Sequence, residues 1–151
     1  IDIIPIIQSV VDDYNNIYQV KRGIKISCIV DINEPHFING IENRIEQIIA
    51  NLLDNAISFC EDNKNIEVII SKNSNKQVKI NIIDEGVGFK ETDTTKIFKR
   101  FYSNRPDKFG QHSGLGLNIV KNLVELHKAS INASNRDDKK GANLEIIFSK
   151  L

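Results

Sequence analysis

Apolar residues recur along this chain with two different periods, and the places where one period gives way to the other outline a domain of mixed helices and strands. Ile6, Ile7, Val10, Val11, Tyr14 and Ile17 keep a helical stripe, with Pro5 suited to the first turn and Gly23 to the stop. Lys25 to Asp31 then alternates like a strand. The clearest pattern runs from Ile41 to Cys60. There Ile45, Ile48, Ile49, Leu52, Leu53, Ala56 and Ile57 follow the i, i+3, i+4, i+7 spacing of an amphipathic helix. Asn65 to Ser71 and Gln77 to Asp84, rich in Ile and Val, flank the turn-like Lys72 to Lys76 and predict an antiparallel hairpin. A further helix is expected over Leu117 to His127, with Ile119, Val120, Leu123, Val124 and Leu126 facing inward. Ser130 to Ser134 and Leu144 to Phe148 read as a closing strand pair joined by the polar stretch Asn135 to Gly141.

Strands paired in hairpins with helices outside them predict an α+β, two-layer sandwich: one mixed, mostly antiparallel sheet with helices on one face. Residues 90–113 fit neither period. They are polar, punctuated by Pro106 and Gly110 and seeded with Phe98, Phe101, Tyr102 and Phe109, as expected of a lid that docks through its aromatic side chains.

A length of 151 residues with 40% hydrophobic positions suits one domain, 1–151, with one core. Twenty basic and twenty acidic residues cancel, so nothing in the charge attracts nucleic acid or an anionic membrane, and an anionic ligand must be held locally. Cys28 and Cys60 lack the spacing of a redox or metal motif and sit among apolar residues, which points to reduced thiols in a cytosolic compartment. No apolar run is long enough to span a bilayer, and no signal peptide is evident. The chain opens on Ile1 without an initiator Met, as expected of a piece of a longer protein.

Chemistry concentrates in three places. On the Ile41 to Cys60 helix, Gln47, Asn51, Asn55 and Ser58 form an amide-rich stripe flanking the apolar one. Asn is a poor helix former, so this is either chance in an Asn-rich chain or the edge of a pocket whose amide oxygens coordinate Mg²⁺ beside substrate phosphates. The strand-to-turn segment Ile82 to Phe89 carries Asp84, Gly86 and Gly88. It is either a plain turn or a site where the Asp84 carboxylate accepts a hydrogen bond from an adenine amine while the glycines let backbone approach the ring. Ser113-Gly114-Leu115-Gly116-Leu117 leads directly into a helix, either as a flexible loop or as an anion site of backbone N–H groups and helix dipole. Neither a P-loop nor a dinucleotide-binding glycine fingerprint is present.

In order and spacing these segments resemble the catalytic, ATP-binding domain of bacterial sensor histidine kinases, within the wider family shared with gyrase, Hsp90 and MutL, and the likeness covers essentially the whole chain. Glu46 to Ala56 is similar to the N box, Asp84 to Gly88 to the G1 box, Ile97 to Tyr102 to the F box and Gly114 to Leu117 to the G2 box. The segment from Arg100 to Ser113 also resembles the ChvG-type kinases that sense envelope or acid conditions. The resemblance implies the Bergerat fold, ATP with Mg²⁺ on Asn51 and Asn55, and a lid between the F and G2 boxes. It implies ATP contacts from Asn51, Asn55, Ser58, Phe59, Asp84, Gly86, Gly88, Phe98, Gly114, Leu115, Gly116 and Leu117. Many members have Lys at Ser58 and a hydroxyl-bearing aromatic at Phe59. A lid cation, Arg100, Arg105 or Lys108, is then expected to take over the lysine's phosphate contact, and Phe59 any stacking on adenine.

Relatives that hydrolyse ATP carry Glu at Asn51. An amide cannot serve as that general base, which predicts phosphoryl transfer and not hydrolysis, with Asn51, Arg100 and Arg105 as the catalytic set. His36, His112 and His127 lack the Glu and Pro context of the family's phosphoacceptor helix. The acceptor is therefore expected on a separate dimerisation domain of a homodimeric, inner-membrane parent, with a response regulator downstream. Two other readings are an anti-sigma-type serine kinase and a degenerate nucleotide-sensing module without transfer.

Overall fold

In a computed structural model the described residues are 1–89, 97–98 and 116–149. Helix α1 spans Ile3–Arg22. The Asp2 side chain caps it by accepting the Ile4 N–H at 3.2 Å. Gly23 ends it in the left-handed region at φ 66°, donating to Gln19 O, while Ile24 donates to Tyr18 O. Strand β1 is Lys25–Val30 and helix α2 is Glu42–Phe59. Strands β2 (Asn65–Lys72) and β3 (Val78–Asp84) form the expected hairpin. Helix α3 is Gly116–Leu126, followed by β4 (Ser130–Asn135) and β5 (Ala142–Ile147).

The sheet order is β1-β2-β3-β5-β4. Only β1 and β2 run parallel, joined across α2, and every other pair is antiparallel. Side chains alternate along each strand, so Ile66, Val68, Ile70, Ile80, Ile82, Leu144 and Ile146 point to one face and are buried. Against them pack Ile45, Ile48, Ile49, Leu52 and Leu53 of α2, all at most 1% exposed. The opposite face is polar, with Asn81 donating to Asn143 Oδ1 at 3.0 Å and Glu145 Oε2 at 3.1 Å. The α+β two-layer architecture is therefore as the periodicity predicts.

Some expected core positions are not in the core. In α3 the buried set is Leu117, Val120, Leu123 and Val124, whereas Ile119 is 38% and Leu126 77% exposed. Those two lie seven residues apart on one flank of the stripe, beyond the width a single contact face covers. In α1 Ile17 is likewise exposed, since burial there is confined to Ile3, Ile6, Ile7 and Val11. Cys28 is half-buried and Cys60 buried, both free thiols. Burial pushes each thiol up to about 11, aided at Cys28 by Asp12 and at Cys60 by Asp84, so both stay protonated and inert at neutral pH.

Two polar clusters fix the elements that frame the site. Arg22, in the last turn of α1, reaches the end of α2, donating to Ile57 O at 2.8 Å and Cys60 O at 2.5 Å while pairing with Asp62 at 2.7 Å. A guanidinium there satisfies carbonyls that α2 leaves open and complements its dipole. At the other end, fully buried His36 lies between Glu34 O (2.8 Å) and Asp31 Oδ1 (3.0 Å), and its backbone N–H donates to Asp2 Oδ1 at 3.0 Å.

Partial burial would raise the Asp31 carboxyl, but the Lys72 N–H at 3.0 Å and the His36 ring outweigh it and hold the group below its ordinary value. Glu85 is lowered by the Asn65 N–H at 2.8 Å, against burial, with Lys139 adding to the effect. Both carboxylates are thus more acidic folded than unfolded. The stability they contribute is complete above about pH 5 and is lost as pH falls through about 4 and below. Thermal melts from pH 7 to 3 should show Tm falling over that range, more shallowly in Asp31→Asn; an identical slope in the variant would remove Asp31 from the account.

Candidate functional site

The candidate residues lie on α2, at the end of β3 and at the start of α3, and α2 packs against both of the other elements. On α2 the face next to the apolar stripe carries Asn51, half-buried, and Asn55, 5% exposed. Placing Asn55 in the helix interior costs about 0.5 kcal/mol in helix propensity relative to Ala, so its burial is not what folding stability alone selects. Ser58, one turn on, donates its hydroxyl hydrogen to Asp54 O at 2.8 Å and so is tied to its own helix. Phe59, the aromatic residue at this helix end, is 2% exposed.

At the end of β3 the Asp84 carboxylate is 2% exposed. Its Oδ1 accepts the Gly86 N–H at 2.8 Å and the Ala142 N–H of β5 at 3.1 Å. Two backbone donors on one oxygen fix the rotamer. Gly88 has φ +74°, and a Cβ there would stand 2.7 Å from Asn135 Oδ1. Glycine is needed at this position for the backbone itself and for the approach of Asn135.

Gly116 is the first described residue of α3, and a Cβ on it would meet nothing within 4 Å among the described residues. Leu117, by contrast, is 6% exposed and belongs to the core, leaving its backbone as the part that can face a ligand. Phe98 is buried at 6%; its carbonyl accepts the Asn118 side-chain amide at 3.1 Å, and Lys121 Nζ lies 5.5 Å from its ring. These contacts fasten Phe98 to α3. Arg100, Arg105, Lys108, Gly114, Leu115 and His112 lie outside the described residues, as does the lid 90–113 apart from 97–98. Of the remaining histidines, His36 is enclosed as above, and His127 caps Leu123 O and accepts the Ile41 N–H, both in structural roles.

Asn51 and Asn55 thus stand on α2, Asp84 at the end of β3 with Gly86 and Gly88 in the turn after it, and Phe98 against α3, whose first described residue is Gly116; α2 packs against both β3 and α3. The pattern of the histidine kinase-, DNA gyrase B- and HSP90-like ATPases matches residues 40–150. The chain belongs to this ATPase family. It is 34% identical over 148 residues to the sensor protein ChvG of Agrobacterium fabrum, covering 93% of this chain and 25% of that protein. It is 32% identical over 147 residues to ChvG of Rhizobium meliloti, covering 93% of this chain and 26% of the other. The chain therefore spans about a quarter of the length of these curated relatives. Among solved structures, the catalytic domain of histidine kinase ThkA superposes with a TM-score of 0.83 at 24% identity, covering 99% of this chain and 93% of that one. The family places the chain with ATP-binding catalytic domains of sensor histidine kinases, and the sandwich seen here is theirs.

What sequence reasoning missed is what the expected closing strand pair brings to the end of β3: Ala142 donates to Asp84 Oδ1, and Arg136 donates to Asp84 O at 3.2 Å. The signal was weak: Gly141 just before a β-patterned run is common to many hairpins.

Proposed function

We propose that this chain binds Mg-ATP and donates its γ-phosphoryl group to a histidine on a separate dimerisation domain, in two-component signalling to a response regulator. The carrying observation is the buried Asp84 carboxylate, held by the Gly86 and Ala142 N–H groups at the end of a strand that packs against α2, the helix of Asn51 and Asn55. A carboxylate accepts only, so it fits the exocyclic amine of adenine and disfavours the oxygen guanine presents there. The donor set suits magnesium: neutral amide oxygens of Asn51 and Asn55, hard and uncharged, complement an ion whose charge is balanced by phosphates. When bound, Mg²⁺ would neutralise phosphate charge. Asn51 orients without abstracting a proton, so water is not activated at that position and transfer is favoured over hydrolysis.

On this reading the start of α3, with Gly114 to Leu117, receives the phosphates on backbone N–H groups, the segment 90–113 closes as a lid, and Arg100 or Arg105 supplies the positive charge that Ser58, tied to Asp54 O, does not. We propose that the domain belongs to the cytoplasmic side of a homodimeric inner-membrane receptor; the curated relatives it matches are sensor proteins. No helix of the described residues is long and apolar enough to cross a membrane.

Incubation with radiolabelled ATP, Mg²⁺ and a purified dimerisation domain should put acid-labile label on that domain's histidine and none on the chain alone. Acid-stable label on serine would favour a serine kinase; absence of label with intact nucleotide binding would leave a nucleotide-sensing module.

A further inference from the structure

The turn that carries Asp84 lies outside regular structure from Glu85 to Phe89, yet both of its ends are gripped, and by the same hairpin. At the Asp84 end Ala142 N–H donates to Oδ1 at 3.1 Å and Arg136 Nη1 to the carbonyl at 3.2 Å; Arg136 is itself held by Asp138 through two contacts of 3.0 and 2.9 Å. At the Phe89 end stands Asn135, the last residue of β4. Its Oδ1 accepts the Phe89 N–H at 2.6 Å and its Nδ2 donates to the Phe89 carbonyl at 3.1 Å. One side chain thereby reproduces a rung of sheet for a segment that has left the sheet. The backbone donor and acceptor of Phe89 fix which way the amide points.

We propose that Asn135 is a positioning residue for the nucleotide site: by clamping Phe89 it holds the Asp84–Phe89 turn in the one conformation that presents the Asp84 carboxylate to the base. The inference rests on the reading of Asp84 as the base-recognising group. Three features converge on it. The pairing needs both functions of a primary amide at this reach, since Asp lacks the donor and Ser is too short for both. Gly88 is adapted to it, because its positive φ and missing Cβ make the room that Asn135 Oδ1 occupies. And the clamp closes 46 residues of separation at the far end of the turn from Ala142, so Asp84 and Phe89 cannot drift independently.

The test is a titration of the whole chain with Mg-ADP and Mg-IDP, the latter offering oxygen where adenine offers an amine, for wild type, Asn135→Ala, Asn135→Asp, Asp84→Asn and the core control Ile131→Ala. Asn135→Ala should weaken ADP binding about tenfold and shrink the ADP-to-IDP ratio, because two hydrogen bonds that set the turn are gone. Ile131→Ala, on the same strand and buried, should lower Tm while leaving affinity and selectivity within about twofold. ADP affinity of Asn135→Ala within twofold of wild type, while Asp84→Asn has lost binding, would overturn the positioning role alone. Wild-type affinity in Asp84→Asn would overturn the site and the inference together. Should Asn135→Ala fail to fold, Asn135→Asp carries the test: it keeps the bond to the Phe89 N–H and loses the other, so about a threefold loss supports the proposal and an unchanged affinity overturns it.

Discussion

Replacing Asp84 by Asn is expected to weaken Mg-ADP binding by about two orders of magnitude, corresponding to about 3 kcal/mol. The size follows from what surrounds the carboxylate. Oδ1 already accepts the Gly86 and Ala142 N–H groups at 2.8 and 3.1 Å in a site 2% exposed. An Asn that keeps its oxygen there turns its NH₂ toward the base, donor against donor. An Asn that flips sets the NH₂ against two backbone N–H groups. Either orientation leaves a buried donor opposed, and the charge-assisted bond to the base amine is lost in both. Calorimetric titration of the two proteins measures the difference, and equal affinity would sink the assignment of the pocket.

The second large effect concerns folding. Gly141 has φ +146°, and a Cβ on it would be driven into the Asp84 carbonyl oxygen. Gly141→Ala therefore combines a backbone conformation that L residues rarely adopt with a clash against main chain that cannot rotate away. About 4 kcal/mol is expected, or a fall in Tm of about 10 °C for a chain of this size. Gly116→Ala is the contrast, since nothing lies within 4 Å of its Cβ position. Its Tm should stay within about 2 °C of wild type. Circular-dichroism melts of the pair decide the point; comparable losses in both would mean that glycine at 141 is not dictated by the approach to Asp84.

These two predictions bear on different kinds of legibility. Asp84 was legible as an acid at the end of an apolar strand, followed by two glycines, a pattern that a plain turn fits as well, and the resemblance to the G1 box gave it a role. Asn51 and Asn55 stood out because amides are unfavourable inside a helix of such strong periodicity. Gly141, Asn135 and Arg136 did not stand out, because each is an ordinary residue of a polar hairpin until its partner is known, and those partners lie 57, 46 and 52 residues away. Ser58 shows a different limit. Its identity was legible as a departure from the family, but only the structure shows that its hydroxyl is bonded to Asp54 O.

By itself the sequence determined the elements, their order and the α+β class, since side-chain periods of 2 and 3.6 are local properties that burial of one face makes visible. Four motifs in register also pointed to this ATPase family, whose pattern matches residues 40–150. Only the tertiary structure decided that β5 and not β4 lies beside β3, which places Ala142 against Asp84 and Asn135 against Phe89. Strand order and register depend on contacts between residues far apart in the chain, and a repeat of two along a strand is the same whichever neighbour it pairs with. The orientation of the Asp84 carboxylate is set by that pairing.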